Sequence, residues 1–109
     1  MDLKARSLEY FYNFSSKNSS ALSWMFTSVC FLHDWENDAA GKTDVMSVYN
    51  KIFDSVESIA VTPRVIYQDG LTVIAELLIT INGKEQILVT DVITYDETGK
   101  IVSVRAYKG

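Results

Sequence analysis

Two rhythms divide this chain. Apolar residues recur at helical spacing in its first half, whereas the second half carries long alternating or β-branched runs. Leu3, Ser7, Tyr10 and Phe14 share one face at three- and four-residue intervals, with Leu8, Phe11 and Tyr12 beside it, which predicts a helix from residue 2 to about 15. The polar stretch from Ser15 to Ser20 ends it, and Ser19 or Ser20 is placed to cap a short second helix through Met25 or Phe26. Ser28 to Asp34 reads as a short strand and Trp35 to Gly41 as a loop. Val45, Val48, Tyr49, Ile52, Phe53 and Val56 then mark the buried face of a third helix, from about Thr43 to Val56.

Four strands follow, near 58–67, 71–81, 84–95 and 101–107. Their turns are Gln68-Asp69-Gly70, Asn82-Gly83 and Asp96-Glu97-Thr98-Gly99, and Asp-Gly and Asn-Gly between apolar runs are strong hairpin signals. Pro63 places its strand at an edge or at a bulge. Thr72, Glu76 and Thr80 mark an outer sheet face, on which Ile66, Ile74 and Leu78 are also expected. Helices first and a strand meander afterwards predict an α+β fold. The expected architecture is a single domain over 1–109, a cone-shaped, curved antiparallel sheet wrapped around the N-terminal helices and enclosing a cavity.

One residue disturbs this pattern. Asp91 stands inside Ile87-Leu88-Val89-Thr90-Asp91-Val92-Ile93-Thr94-Tyr95, an otherwise apolar and β-branched strand. An ionised carboxylate there would cost several kcal/mol or more unless paired, so the group is expected to hold its proton and act as a hydrogen-bond donor.

Composition narrows the functions available. Hydrophobic residues make up 48% of the 109 and charged residues 22%, enough to build a core in one compact domain. The net charge of −4, with Lys and Arg scattered singly, argues against nucleic acid as partner. No run is apolar enough for a signal peptide or a membrane span, so a cytoplasmic protein without a membrane partner is expected. Cys30, the single cysteine, sits in Val29-Cys30-Phe31-Leu32 and reads as a small buried hydrophobe. His33 is the one histidine, no Cys/His cluster suggests a metal, and no Gly-rich phosphate loop suggests a nucleotide cofactor.

Further candidates are Asp34, which closes an apolar strand, and the helical tyrosines Tyr10 and Tyr49. Taken singly, each has an ordinary structural reading, as a strand-end aspartate or as a core tyrosine. Together they carry a resemblance. The segment Asp91-Val-Ile-Thr-Tyr-Asp-Glu-Thr-Gly-Lys-Ile-Val-Ser-Val-Arg-Ala-Tyr-Lys-Gly109 resembles the closing hairpin of the ketosteroid isomerase (steroid Δ-isomerase) family, within the nuclear transport factor 2-like and SnoaL-like superfamily. With Gly99-Lys100 aligned, Asp91 falls on the family's oxyanion-hole aspartate. With Met25-Phe26 set on its Leu-Phe pair, Tyr10 falls on the oxyanion-hole tyrosine and Asp34 on the general base. Gly41 and the helix after it resemble the family's Gly-Thr-Ala-x-Ile helix start, which puts Tyr49 on the tyrosine supporting the oxyanion hole. The loop from Asp34 to Gly41 is two residues shorter than the family's, and Trp35 stands where a proline is common.

The stretch from Gly83 to Asp91 is one residue short of the family's, which makes hairpin register decisive. A two-residue Asn-Gly turn would set Asp91 opposite Ile74, on the Glu76 face. A three-residue turn with a glycine bulge is expected instead, with Asp91 opposite Val73 and on the face of Ala75, Leu77 and Ile79.

The resemblance implies an isomerase that needs no cofactor. Asp34 would take a proton from a carbon next to a carbonyl, Tyr10 and protonated Asp91 would stabilise the enolate oxygen, and Asp34 would return the proton elsewhere on the conjugated system. The implied ligand is a small apolar, steroid-like carbonyl compound, in a pocket expected to include Phe26, Trp35, Val48, Ile52, Leu77 and Val89. A homodimer is also implied. The alternatives are a SnoaL-like polyketide cyclase and a non-catalytic module for small-molecule binding or dimerisation.

Overall fold

A computed structural model describes residues 1–109. Helix α1 spans Leu3–Ser15 and α2 spans Ser19–Met25. Asp2 caps the first through Ala5 N–H, and Asn18, rather than a serine, caps the second through Ala21 N–H. The asparagine takes this position because its carbonyl oxygen reaches the free N–H at the third helical residue. Strand β1 (Phe26–His33) leads into β2 (Asp38–Ala40), and Gly41, at φ +88°, turns the chain into α3 (Lys42–Asp54). The region expected as an unbroken loop thus contains a three-residue strand, paired Leu32 to Ala39 and His33 to Asp38. Strands β3 (Ile59–Asp69), β4 (Thr72–Ile81), β5 (Glu85–Tyr95) and β6 (Ile101–Lys108) complete the chain.

The six strands form one curved, unclosed sheet in the order β2-β1-β6-β5-β4-β3. Every pair is antiparallel except β1 with β6. That pair is parallel because the chain leaves β1, passes through α3 and the β3–β5 meander, and returns on β6 beside its own start. α1 packs along β3 and α3 along β1, so both helices lie in the sheet's hollow. Leu3, Ser7, Tyr10 and Phe11 of α1 are buried, whereas Leu8 and Tyr12 point to solvent. On α3, Val45, Tyr49 and Phe53 are buried, with Val48, Ile52 and Val56 packed at the edge of the same core.

Two irregularities decide which side chains face the hollow. Pro63 lies on edge strand β3, and register there shifts between Pro63 and Val65. A proline offers no N–H to the ladder, and the extra residue reverses the facing of everything beyond it. Ile66 therefore sits opposite Ala75 and packs on the core, contrary to the outer position expected of it, while Val65 and Tyr67 turn outward. Ile74 and Leu78 do lie on the outer face, half-buried. The second irregularity is the β4–β5 turn. It holds three residues, with Ile81 paired to Glu85 and positive φ at Asn82 and Gly83. Asp91 consequently lies opposite Ala75, two residues from the expected Val73 but on the expected face, since a shift of two preserves strand facing.

Candidate active site

The hollow between helices and sheet holds a mostly apolar cavity of about 300 Å³. Tyr10 and Tyr49 reach it from α1 and α3, Asp34 from the end of β1, and Asp91 from the middle of β5. Strand alternation aims these groups. Leu32 and Asp34 face the cavity while His33 between them is exposed, and Glu85, Ile87, Val89 and Asp91 line it at every second position of β5.

Asp91 is 7% exposed. Its lateral neighbours in the sheet are both alanines, Ala75 on β4 and Ala106 on β6, so no large side chain flanks it within the sheet. Every fully enclosed side-chain nitrogen and oxygen in the protein has a hydrogen-bond partner. The Asp91 carboxyl group has none within the chain, so its oxygens open into the cavity. Its pKa is pushed up to about 7, first because burial penalises the charged form and second because the charge of Asp34 lies nearby. A sizeable share of molecules therefore carries a neutral, donating acid at neutral pH.

The Tyr10 and Tyr49 hydroxyl oxygens are 2.6 Å apart and hydrogen-bonded. Both rings are buried, and Phe26 packs against both, at centroid distances of 6.3 and 5.8 Å. Burial raises both phenol pKa values above their ordinary 10, and for Tyr10 the neighbouring Tyr49 and Asp91 add to the rise. Both remain protonated, so one hydroxyl can donate to its partner while the other donates into the cavity.

Asp34 occupies the mouth. Its Oδ1 accepts from the backbone N–H groups of Glu36 at 2.8 Å and Asn37 at 2.6 Å. The Asn37 side-chain amide lies 3.1 Å from Oδ1 and 3.2 Å from Oδ2. Trp35 lines the same mouth, with Lys108 Nζ 5.8 Å from its ring centroid, a cation–π arrangement.

Of the residues picked out from sequence, the structure brings Tyr10, Asp34, Tyr49, Asp91, Trp35, Ile52, Leu77 and Val89 to one cavity. Phe26 and Val48 lie elsewhere. Phe26 backs the tyrosine pair, and Val48 packs at the side of the core. Ile79, expected on the Asp91 face, lines the cavity too, while Asn37, Ile87, Ala106 and Lys108 do so without having been anticipated. Period-two alternation from Val89 would have found Ile87, whereas Asn37 becomes visible only once the turn is folded.

No family model and no curated protein matches the chain. Solved structures do. The epoxide hydrolase/cyclase-like enzyme SalBIII, of pyran ring formation in the polyether salinomycin, aligns at TM-score 0.84 and 24% identity, over 98% of this chain and 90% of its own. A nuclear transport factor 2-like protein from Cytophaga hutchinsonii aligns at 0.83 and 16%, over 100% and 91%. The fold is nuclear transport factor 2-like. A candidate ketosteroid isomerase from Kribbella flavida shares it at TM-score 0.81 and 12% identity, over 98% of this chain and 77% of that one. At such identities the likeness concerns the fold, and within it the side chains must argue for any activity.

Proposed function

We propose that this nuclear transport factor 2-like chain is an isomerase that moves a carbon–carbon double bond next to a carbonyl. The observation that carries the reading is Asp91, an unpartnered buried carboxyl group with its pKa near 7 that opens on the same apolar cavity as a hydroxyl pair and a second carboxylate. The two carboxyl groups sit in unlike surroundings, which separates donor acid from base. Asp34 removes a proton from the carbon beside the carbonyl. Tyr10, supported by Tyr49, and neutral Asp91 donate to the oxygen as it gains negative charge, and donors fixed in advance stabilise such an oxygen by roughly 2.7–4 kcal/mol each. Asp34 then delivers the same proton to the far carbon of the conjugated system, so no atom is gained or lost. The apolar wall formed by Ile52, Leu77, Ile79 and Val89 suits a flat, apolar ketone of steroid-like size.

Absorbance during incubation with a β,γ-unsaturated 3-oxosteroid tests this directly. The conjugated enone band should grow with wild-type protein and not with Asp34→Asn. Turnover should fall as pH climbs through about 7, because the donor form of Asp91 is then lost. Tight binding of an equilenin-like phenol that needs Tyr10 and Asp91, without any turnover, would make this a binding protein instead.

A further inference from the structure

The turn that carries Asp34 holds more than its own backbone together. Residues 34–37 connect β1 to β2, and Asp34 N–H donates to Asn37 C=O at 2.9 Å across them. Two backbone N–H groups, from Glu36 and Asn37, converge on Oδ1 and already satisfy the needs of a four-residue turn. The Asn37 side chain adds a different contact. Its amide nitrogen straddles the carboxylate, touching both oxygens at nearly equal distance. Donors on one oxygen leave the carboxylate plane soft, since the last aspartate torsion has a broad energy well. A donor spanning both oxygens fixes that plane. Oδ1 then carries three donors and Oδ2 one, at 3.2 Å, so the free lone pairs facing the cavity belong mainly to Oδ2.

We propose that Asn37 is a positioning residue that orients the Asp34 carboxylate so that Oδ2 accepts the substrate's proton. This rests on the isomerase reading and adds to it the atom that works and the group that aims it. The proton leaves the carbon beside the carbonyl, its bonding pair moves into the enolate, and Oδ2 holds the proton until the conjugated carbon takes it back. Asn37 neither gains nor loses a proton.

The test compares wild type, Asp34→Asn, Asn37→Ala and Asn37→Ser. Both Asn37 variants keep the two backbone bonds to Oδ1 and delete the straddling amide. With the β,γ-unsaturated 3-oxosteroid, kcat should fall about tenfold to a hundredfold in both. KM should stay within about twofold, as should the dissociation constant of equilenin, which reports on the Tyr10–Asp91 end. In deuterated water a loosely held carboxylate should trade its proton with solvent more often, raising deuterium in the product. An unchanged kcat and deuterium content in both Asn37 variants, with wild type active and Asp34→Asn inactive, would overturn the positioning role alone. A fall in kcat matched by an equal loss of equilenin affinity would overturn it as well, because the turn would then be shaping the whole cavity. An inactive wild type, or an active Asp34→Asn, would remove the isomerase reading and this role with it.

Discussion

Replacing Asp91 with asparagine should make the protein more stable at alkaline pH. The carboxyl group titrates near 7 in the folded chain against 3.8 ordinarily, chiefly because its charge is buried. Below about pH 4 both folded and unfolded chains carry it neutral, and it imposes no electrostatic cost. Between about 4 and 7 the unfolded chain releases the proton while the folded chain keeps it. The folded state then binds more protons than the unfolded one, so stability falls as pH rises. Above about 7 both are ionised and the full penalty is present, about 4 kcal/mol for a shift of this size. Asparagine has nearly the same shape, never ionises, and opens on the same cavity. Urea denaturation of wild type and Asp91→Asn from pH 4 to 9 should show similar stability at pH 4 and a growing advantage of the variant toward pH 7, reaching up to about 4 kcal/mol and then levelling off. A stability difference independent of pH, or one that favours wild type increasingly as pH rises, would refute the reasoning.

Asp34→Asn removes the second cause of the shift, so the Asp91 carboxyl resonance, followed by ¹³C NMR, should titrate lower than in wild type; an upward move would contradict the assigned coupling. Tyr10→Phe strands the buried Tyr49 hydroxyl and should cost about 1–3 kcal/mol in chemical denaturation, with part recovered in the Tyr10→Phe/Tyr49→Phe double variant. Ala106→Leu would fill the space beside Asp91; equilenin titration should show binding lost while circular dichroism keeps the native spectrum, and retained affinity would place the ligand elsewhere.

The elements that could be read in advance were those whose residues carry their own signal. The α3 stripe from Val45 to Phe53 and the Asn82-Gly83 turn each name their structure locally. Strand β2 did not. Asp38, Ala39 and Ala40 have little preference for extended structure and become a strand because β1 lies beside them. Ile66 was misplaced for a related reason: Pro63 announces an irregularity, but whether it shifts register depends on β4 opposite. At the site, Asp91 stood out as a charge in an apolar run. Phe26 was expected to line the cavity, yet it supports the tyrosines from behind, its ring packed against both of theirs. Asn37 is ordinary in sequence and meets Asp34 through a turn that only the β1–β2 pairing closes.

The Asn82 turn also bears on how such a chain can change over evolutionary time. Asn82 Oδ1 accepts from the N–H groups of Glu57 and Ser58, and its own N–H donates to Ser58 C=O, tying the hairpin tip to the start of β3. Strand facing repeats every two residues, so losing Lys84 would let the turn close over Asn82 and Gly83 with Glu85 still opposite Ile81 and Asp91 still opposite Ala75, whereas losing Leu88 from within β5 would send Asp91 to the outside and bring Thr90 and Val92 in. Descendants of this sequence are therefore free to trim the tip of that hairpin, but a single-codon deletion in β5 between Glu85 and Asp91 would erase the buried acid without touching the codon that encodes it.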